Sequence, residues 1–375
     1  MKYMIVAGEA SGDLHASRLM EEIKIIDKEA DFRFLGGDLM AKAAGRHPEI
    51  HIEKMNVMGF LEVVRALPTV LDNLRTAKAL LKRFRPDVLV LVDYPSFNLK
   101  LAAYAHGLGI RTDWMIAPKV WAWKEWRIPK LKKYLTNLYS ILPFETGYFK
   151  RHGMDVKYVG NPTVKEVEQS LSHIPPKKYF LERQGITDTR PIIAILPGSR
   201  KAEIRNNLPM MIEAAKKFPD HQYIIAAAPS VPEKYYREIA QDTGLNLAFD
   251  ATHTLLKYSA AAIVTSGTAT LETAVIGTPQ VVCYRSTGSK TAYNVMKRIL
   301  KVKYVSLPNL IVGNSIVPEL LLHNCTPERI ARELRPLLHA SPQRDWQMGG
   351  YRNMRKRLGT TDASKIAAEY ICRPN

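Results

Sequence analysis

The sequence predicts an α/β protein made of two doubly wound, Rossmann-like domains that face each other across a cleft. Short runs rich in Val, Ile and Leu alternate with longer helical patterns, as expected of parallel strands buried on both faces and joined by crossover helices. The length of 375 residues exceeds the usual size of one core and suits two domains. The strand series also breaks once, at Gly160-Asn161-Pro162 and the Pro175-Pro176 step, before a second series begins near residue 192.

In the first series, strands are expected at residues 4–7, 32–36, 88–92, 111–116, 138–142 and 157–159. In the second they are expected at 192–196, 223–227, 262–265 and 280–284, and helices follow from residue 326 to the end. The domains are accordingly set at residues 1–162 and 163–345, with 346–375 as C-terminal helices able to pack back on the first domain. The opening run 4–7 is short and is followed at once by Glu9 and Asp13, so it reads as a first strand and not as a signal peptide.

Hydrophobic residues make up 46% and charged residues 24%, values of an ordinary globular protein, so disorder and fibrous repeats are excluded. The net charge of +18 implies anionic company: nucleic acid, phosphorylated metabolites or an anionic membrane surface. Cys283, Cys325 and Cys372 are odd in number and lack metal-ligand spacing, which points to a reduced compartment and no structural zinc. No stretch approaches the roughly 18 apolar residues of a membrane span, so membrane contact is expected to be peripheral.

The motif Leu196-Pro197-Gly198-Ser199-Arg200 joins a strand to an amphipathic helix, with Lys201 and Glu203 following. A helix start there offers unpaired N–H groups to an anion, and Arg200 adds a planar fork suited to phosphate. Ser199 fits equally well as a plain helix cap. The second motif ends a strand in Thr265-Ser266-Gly267-Thr268. Gly267 lets backbone approach a ligand, while Ser266 and Thr268 suit either capping or phosphate contact. Glu272 lies one helical turn beyond Thr268 on the same face, placed to accept both ribose hydroxyls of a nucleotide, or else simply solvated. There is no Walker loop, and the first turn, Gly8-Glu9-Ala10-Ser11-Gly12-Asp13, is not G-x-G-x-x-G, which argues against an NTPase or a dehydrogenase.

That first turn carries Glu9, Ser11 and Asp13 at a strand's carboxyl end, where ligands of doubly wound sheets collect; Asp13 also suits a helix cap. Asp93 emerges from the apolar strand 88–92 in the same way.

Taken together these motifs resemble the lipid-A-disaccharide synthase family, inverting glycosyltransferases of the GT-B fold. The resemblance runs through V-A-G-E-A-S-G-D (6–13), M-G-F (58–60), D-x-P-x-F-N (93–98), V-W-A-W (120–123), L-P-F-E (142–145), L-P-G-S-R (196–200), S-G-T-A-x-L-E (266–272) and Y-V-S-L-P-N-L (304–310), nearly the whole chain. It implies that UDP-2,3-diacylglucosamine donates its sugar to 2,3-diacylglucosamine 1-phosphate, giving a β-1,6-linked disaccharide and UDP, with no cofactor and no metal. By this resemblance Asp93 is the leading candidate for the general base on the acceptor 6-hydroxyl, with Glu9 next, and Asn309 is a nucleotide or substrate contact. It also allows a homodimer and places the chain in the cytoplasm, peripheral on the cytoplasmic face of the inner membrane in a Gram-negative bacterium, with no nucleic-acid partner. The chain departs from the expected pattern at Ala117-Pro118-Lys119, where S-P-S is expected, at Ser96, where an acid is expected, and at Asn161, where histidine is expected.

Acylated substrates imply work at an anionic bilayer surface. Met58, Phe60, Leu61, Val64 and Leu67 supply an apolar stretch, which suits a protein core as well, ahead of Arg75, Lys78, Lys82 and Arg83. Trp121, Trp123, Lys124, Trp126, Arg127, Lys130, Lys132 and Lys133 interleave aromatics with cations suited to headgroups or to the acceptor phosphate. Three rivals remain open on residues alone: a transferase using UDP-N-acetylglucosamine on a lipid-linked precursor, a UDP-sugar 2-epimerase, and a basic binding protein without turnover.

Overall fold

The computed structural model describes residues 1–55, 67–242, 244–285 and 303–373. The chain divides into two compact units, Met1–Pro162 with Thr360–Asn375, and Thr163–Gly359.

The first unit runs β1 (Lys2–Ala7), α1 (Ala10–Ile26), β2 (Asp31–Gly36), α2 (Asp38–Ala44), β3 (Ile50–His51), α3 (Leu67–Phe84), β4 (Val88–Val92), α4 (Pro95–Gly107), β5 (Arg111–Met115), α5 (Val120–Trp123), α6 (Ile128–Tyr134), β6 (Asn137–Ser140), α7 (Pro143–Arg151) and β7 (Lys157–Tyr158). Its strands form one sheet in the order β3-β2-β1-β4-β5-β6-β7, with every described pairing parallel. Alternation along β1 explains why both faces must be covered: Met4 and Val6 enter one apolar cluster, while Tyr3, Ile5 and Ala7 enter another on the opposite face.

The second unit contains α8 (Pro162–Leu171), which starts at the boundary, α9 (Lys177–Arg183), β8 (Ile192–Leu196), α10 (Lys201–Ala215), β9 (Gln222–Ala227), α11 (Glu233–Ala240), β10 (Leu247–Phe249), α12 (Thr252–Tyr258), β11 (Ser259–Thr265), α13 (Thr268–Ile276), β12 (Gln280–Tyr284), α14 (Leu307–Val312), β13 (Glu319–Leu321), α15 (Pro327–Leu334) and α16 (Pro342–Leu358). Its sheet has the order β10-β9-β8-β11-β12-β13, again parallel. Along β8, Ile193 and Ile195 face one apolar cluster and Ile192, Ala194 and Leu196 the other.

The last helix, α17 (Ala363–Ile371), returns to the first unit. Ala363, Ala367, Ala368 and Ile371 pack in one cluster with Ala16, Leu19, Met20 and Ile23 of α1. Buried Arg111, paired with Asp113 at 2.7 Å, donates to the carbonyls of Tyr370 and Arg373 and ties the helix end to β5. The boundary expected after residue 345 falls after Gly359 instead. α16 stays with the second sheet because the Gln347 amide meets the Gln280 backbone twice, accepting from its N–H at 2.6 Å and donating to its carbonyl at 3.0 Å.

Each sheet reverses its strand order once, between β1 and β4 and between β8 and β11. Loops that leave adjacent strands at such a point diverge to opposite faces and open a crevice at the carboxyl ends. The two predicted constellations leave those strand pairs.

Candidate functional site

In the first unit Ala7 of β1 lies beside Val92 of β4, so Gly8-Glu9 and Asp93-Tyr94 leave the sheet side by side. Asp93 and Tyr94 both sit at φ 47°, left-handed backbone that costs roughly 1–3 kcal/mol per non-glycine residue and persists only where the surroundings impose it. The imposing contacts are identifiable. Asp93 N–H donates to the Met115 carbonyl at 3.3 Å, and the buried Asn98 amide donates to the Asp93 carbonyl at 2.8 Å. Tyr94 donates its hydroxyl to the Met55 carbonyl at 3.0 Å, and its ring lies over Gly8. A Cβ at Gly8 would stand 2.4 Å from that ring, which is why the position is glycine.

Burial pushes the Asp93 carboxyl above the ordinary carboxylate range, opposed by the nearby Lys119 cation. Burial also raises the Tyr94 phenol, and the nearby Glu9 charge adds to the effect. Glu9 is half-buried and Ser11 is exposed on the first turn of α1. Asp13 differs from its expected role. It is buried, and its carboxylate accepts the N–H groups of Gly37 at 2.7 Å, Leu39 at 3.1 Å and Met40 at 3.2 Å. It therefore caps the start of α2, with both carboxylate oxygens engaged by backbone N–H groups.

Trp121, expected at the acceptor or membrane, is likewise corrected. It is buried, with Nε1 donating to Glu145 Oε1 at 2.8 Å and its ring edge-on to Phe144. Trp123 lies in the same single turn, α5. Lys124 is half-buried, its ammonium depressed by burial and by the neighbouring Arg127 charge. Arg127 donates to Ser96 Oγ at 3.1 Å on the first turn of α4, directly after Asp93, and packs against Trp126. Met58 and Phe60 lie outside the described residues.

In the second unit the β8 and β11 turns are neighbours because their strands pair, Leu196 beside Val264. Two of the N–H groups expected to be open at the first of them are taken. Glu203 reaches back from the first turn of α10 to accept Ser199 N–H at 3.1 Å and Arg200 N–H at 3.4 Å, and it pairs with the Arg200 guanidinium at 3.2 Å. Ser199 is exposed and the Arg200 side chain is 59% exposed. An exposed pair of this kind is worth about 0–1 kcal/mol, so a phosphate can draw Arg200 away.

The second turn is different. Gly267 precedes α13 with no side-chain cap, and nothing described lies within 4 Å of a Cβ placed on it. Ser266 is half-buried and Thr268 exposed, so the first N–H groups of α13 face open ground lined by hydroxyls. Glu272, one turn on, is partly buried and stands 3.5 Å from His253 Nε2 of α12. It is thus held by a neighbour, not freely solvated. Asn309 is the third correction: fully buried, it donates to the Val317 carbonyl and Glu319 and accepts the N–H groups of Ile316 and Val317. Those four bonds fold the approach to β13 and occupy every hydrogen-bonding position of the side-chain amide.

Residue reading alone missed Tyr94, Asn98 and His253 as site builders, and treated Lys119 only as a departure. The signal for Tyr94 was Pro95, since the residue before proline is disfavoured in right-handed helical backbone.

Comparison with known proteins follows the same outline. The lipid-A-disaccharide synthetase family matches residues 3–370. Lipid-A-disaccharide synthase of Myxococcus xanthus is 36% identical over 376 residues, covering 99% of this chain and 96% of that protein. The enzyme of the same name from Geobacter metallireducens is 33% identical over 376 residues, covering 99% and 96%. Among solved structures, UDP-GlcNAc 2-epimerase from Neisseria meningitidis bound to UDP-GlcNAc aligns over 99% of both chains with a TM-score of 0.69 at 15% identity. MurG of Acinetobacter baumannii aligns over 99% of this chain and 98% of its own, with a TM-score of 0.57 at 14% identity. At such identity the structures speak for the GT-B fold alone, while the sequence matches are full-length and specific. The chain belongs to the lipid-A-disaccharide synthase family of glycosyltransferases.

Proposed function

We propose that the chain transfers the sugar of UDP-2,3-diacylglucosamine to the 6-hydroxyl of 2,3-diacylglucosamine 1-phosphate with inversion, and that Asp93 is the general base. The acceptor O6 attacks the anomeric carbon as its proton passes to Asp93, and the bond from that carbon to the diphosphate oxygen breaks. The electron pair leaves with UDP. The single observation that carries the base assignment is the strained, half-buried Asp93 at the strand-order reversal of the first sheet. Glu9, its charge felt at Tyr94, is assigned to the acceptor side.

On the donor side the reading gives the diphosphate to the uncapped start of α13, with Ser266, Gly267 and Thr268, and to Arg200 released from Glu203. These groups neutralise the departing charge in place of a metal ion. Glu272, steadied by His253, accepts the ribose hydroxyls. Among the described residues no helix is long and apolar enough to cross a membrane, and the reading has the protein dock peripherally on the cytoplasmic face of the inner membrane. Trp126, 62% exposed and flanked by Arg127 and Lys130, and Leu71 on α3 beside Arg75 support contact with anionic headgroups.

The test is UDP release by the full chain from UDP-diacylglucosamine, with and without the acylated sugar phosphate. Release that depends on the acceptor is expected. Release or epimerisation without it, or none with it, overturns the proposal.

A further inference from the structure

The segment leaving β5 is built more firmly than its length requires. It departs through Ile116, a buried β-branched residue at φ 65°, where a side chain of that shape is a genuine outlier. It ends in α5, a single turn of four residues that cannot hold itself together in isolation. What fixes that turn lies across the unit. Trp121 Nε1 donates to Glu145 Oε1, and Glu145, only 1% exposed, bonds through Oε2 to Ser140 Oγ at the end of β6. Ser140 Oγ also accepts the Leu142 N–H at 3.0 Å and lies 2.9 Å from the Leu142 carbonyl. A serine has one proton to give. If it goes to that carbonyl, Oγ is left to accept from Glu145, which then serves as a neutral acid, as its burial favours.

Between the strained exit and this anchor stands Lys119, exposed at the start of α5, its charge near enough to favour the ionised forms of both Asp93 and Glu145. The Asp93 N–H bond to Met115 keeps the ends of β4 and β5 together, which roots the arm beside Asp93.

We propose that Glu145 is a positioning residue for glycosyl transfer, acting through Trp121 to fix the turn that carries Lys119 and so keep that cation in the neighbourhood of Asp93. The inference rests on Asp93 as the base. Burial raises the Asp93 carboxyl, and Lys119, the charged group that opposes this, keeps it ionised at lower pH than burial alone would allow. Facing Glu145 are Lys119 from the arm, Trp121 from α5 and Ser140 from β6, of which Lys119 alone is charged.

The experiment is the pH dependence of kcat/KM for acceptor-dependent UDP release by the full chain. Lys119→Met is expected to move the acidic limb upward by about half a pH unit or more, and Lys119→Arg to restore it. Glu145→Ala is expected to move the limb in the same direction and lower kcat about tenfold, with the donor KM changed less than about twofold. Glu145→Gln keeps an acceptor for Trp121 and a donor for Ser140, and rescues both effects. Should Glu145→Ala not fold, Trp121→Phe removes the same bond while keeping an aromatic ring at that position and must reproduce the shift. An unmoved acidic limb in Lys119→Met, or wild-type rate and profile in both Glu145→Ala and Trp121→Phe, overturns the inference. Asp93→Asn separates the two levels: if it turns over normally the base assignment fails, whereas if it is inactive while the arm variants are normal, only the positioning inference fails.

Discussion

Glu145 gives a stability prediction independent of any catalytic role. Its carboxyl is pushed up to about 7 from an ordinary 4.5, first by burial, with Ser140, Trp121 and Lys119 opposing. A folded pKa above the unfolded one means that the native state holds the proton more tightly. The stability this group contributes is therefore fully present below about pH 4.5 and is lost as pH rises through about 7. The shift corresponds to ~3 kcal/mol in full, of which about 2.5 kcal/mol falls between pH 5 and pH 8. Glu145→Gln cannot ionise and should lack that dependence. The measurement is urea unfolding of both proteins at the two pH values, followed by tryptophan emission. That signal favours the first unit, which holds Trp114, Trp121, Trp123 and Trp126, against Trp346 in the second. The stability of Glu145→Gln relative to wild type should rise by about 2 to 3 kcal/mol from the acidic to the alkaline condition. A difference that stays the same at both pH values would show that Glu145 titrates as an ordinary carboxyl, and the neutral-acid reading of its bond to Ser140 would fall.

Three further outcomes are expected. Asp93→Asn should lower kcat by about 10² to 10⁴ while leaving UDP binding near wild type in calorimetry; near-normal turnover in folded protein rejects Asp93 as base. Glu272→Ala should weaken UDP binding by about 1 to 3 kcal/mol, and an unchanged Kd removes the ribose assignment. Gly8→Ala forces a methyl group against the Tyr94 ring and should cost about 1 to 3 kcal/mol of stability in denaturant titrations. In a Tyr94→Ala background the same change should cost almost nothing, and an equal cost in both backgrounds means that the ring is not what excludes the methyl.

How much of this the sequence carried depends on whether a feature is local. Strands such as β4 and β8 are continuous apolar runs five residues long, so their type and place could be read directly. β3, β10 and β13 were not foreseen: each has two or three residues, too few for a periodic signal, although the equally short β7 was placed. The two turns that carry the site were legible because strand carboxyl ends are marked by glycine and hydroxyl residues.

What was not legible is the use each polar side chain makes of its position. Asp13 and Asp93 both follow apolar strands at the same reversal of strand order, Asp13 on the first turn of α1 and Asp93 directly after β4. The difference is set at a distance: the N–H groups that claim Asp13 lie 24 to 27 residues further along, at the start of α2. The Trp121 ring is claimed in the same way by Glu145, also 24 residues on. Asp93 escapes because its backbone is held in left-handed geometry, with Asn98 and Met115 taking its main-chain groups, while its carboxyl meets only the adjacent Tyr94 backbone and the Lys119 charge. A capping acid is one whose carboxylate the fold has consumed. An acid available for chemistry is one whose backbone the fold has consumed instead, and that distinction follows from the strained pair at 93 and 94.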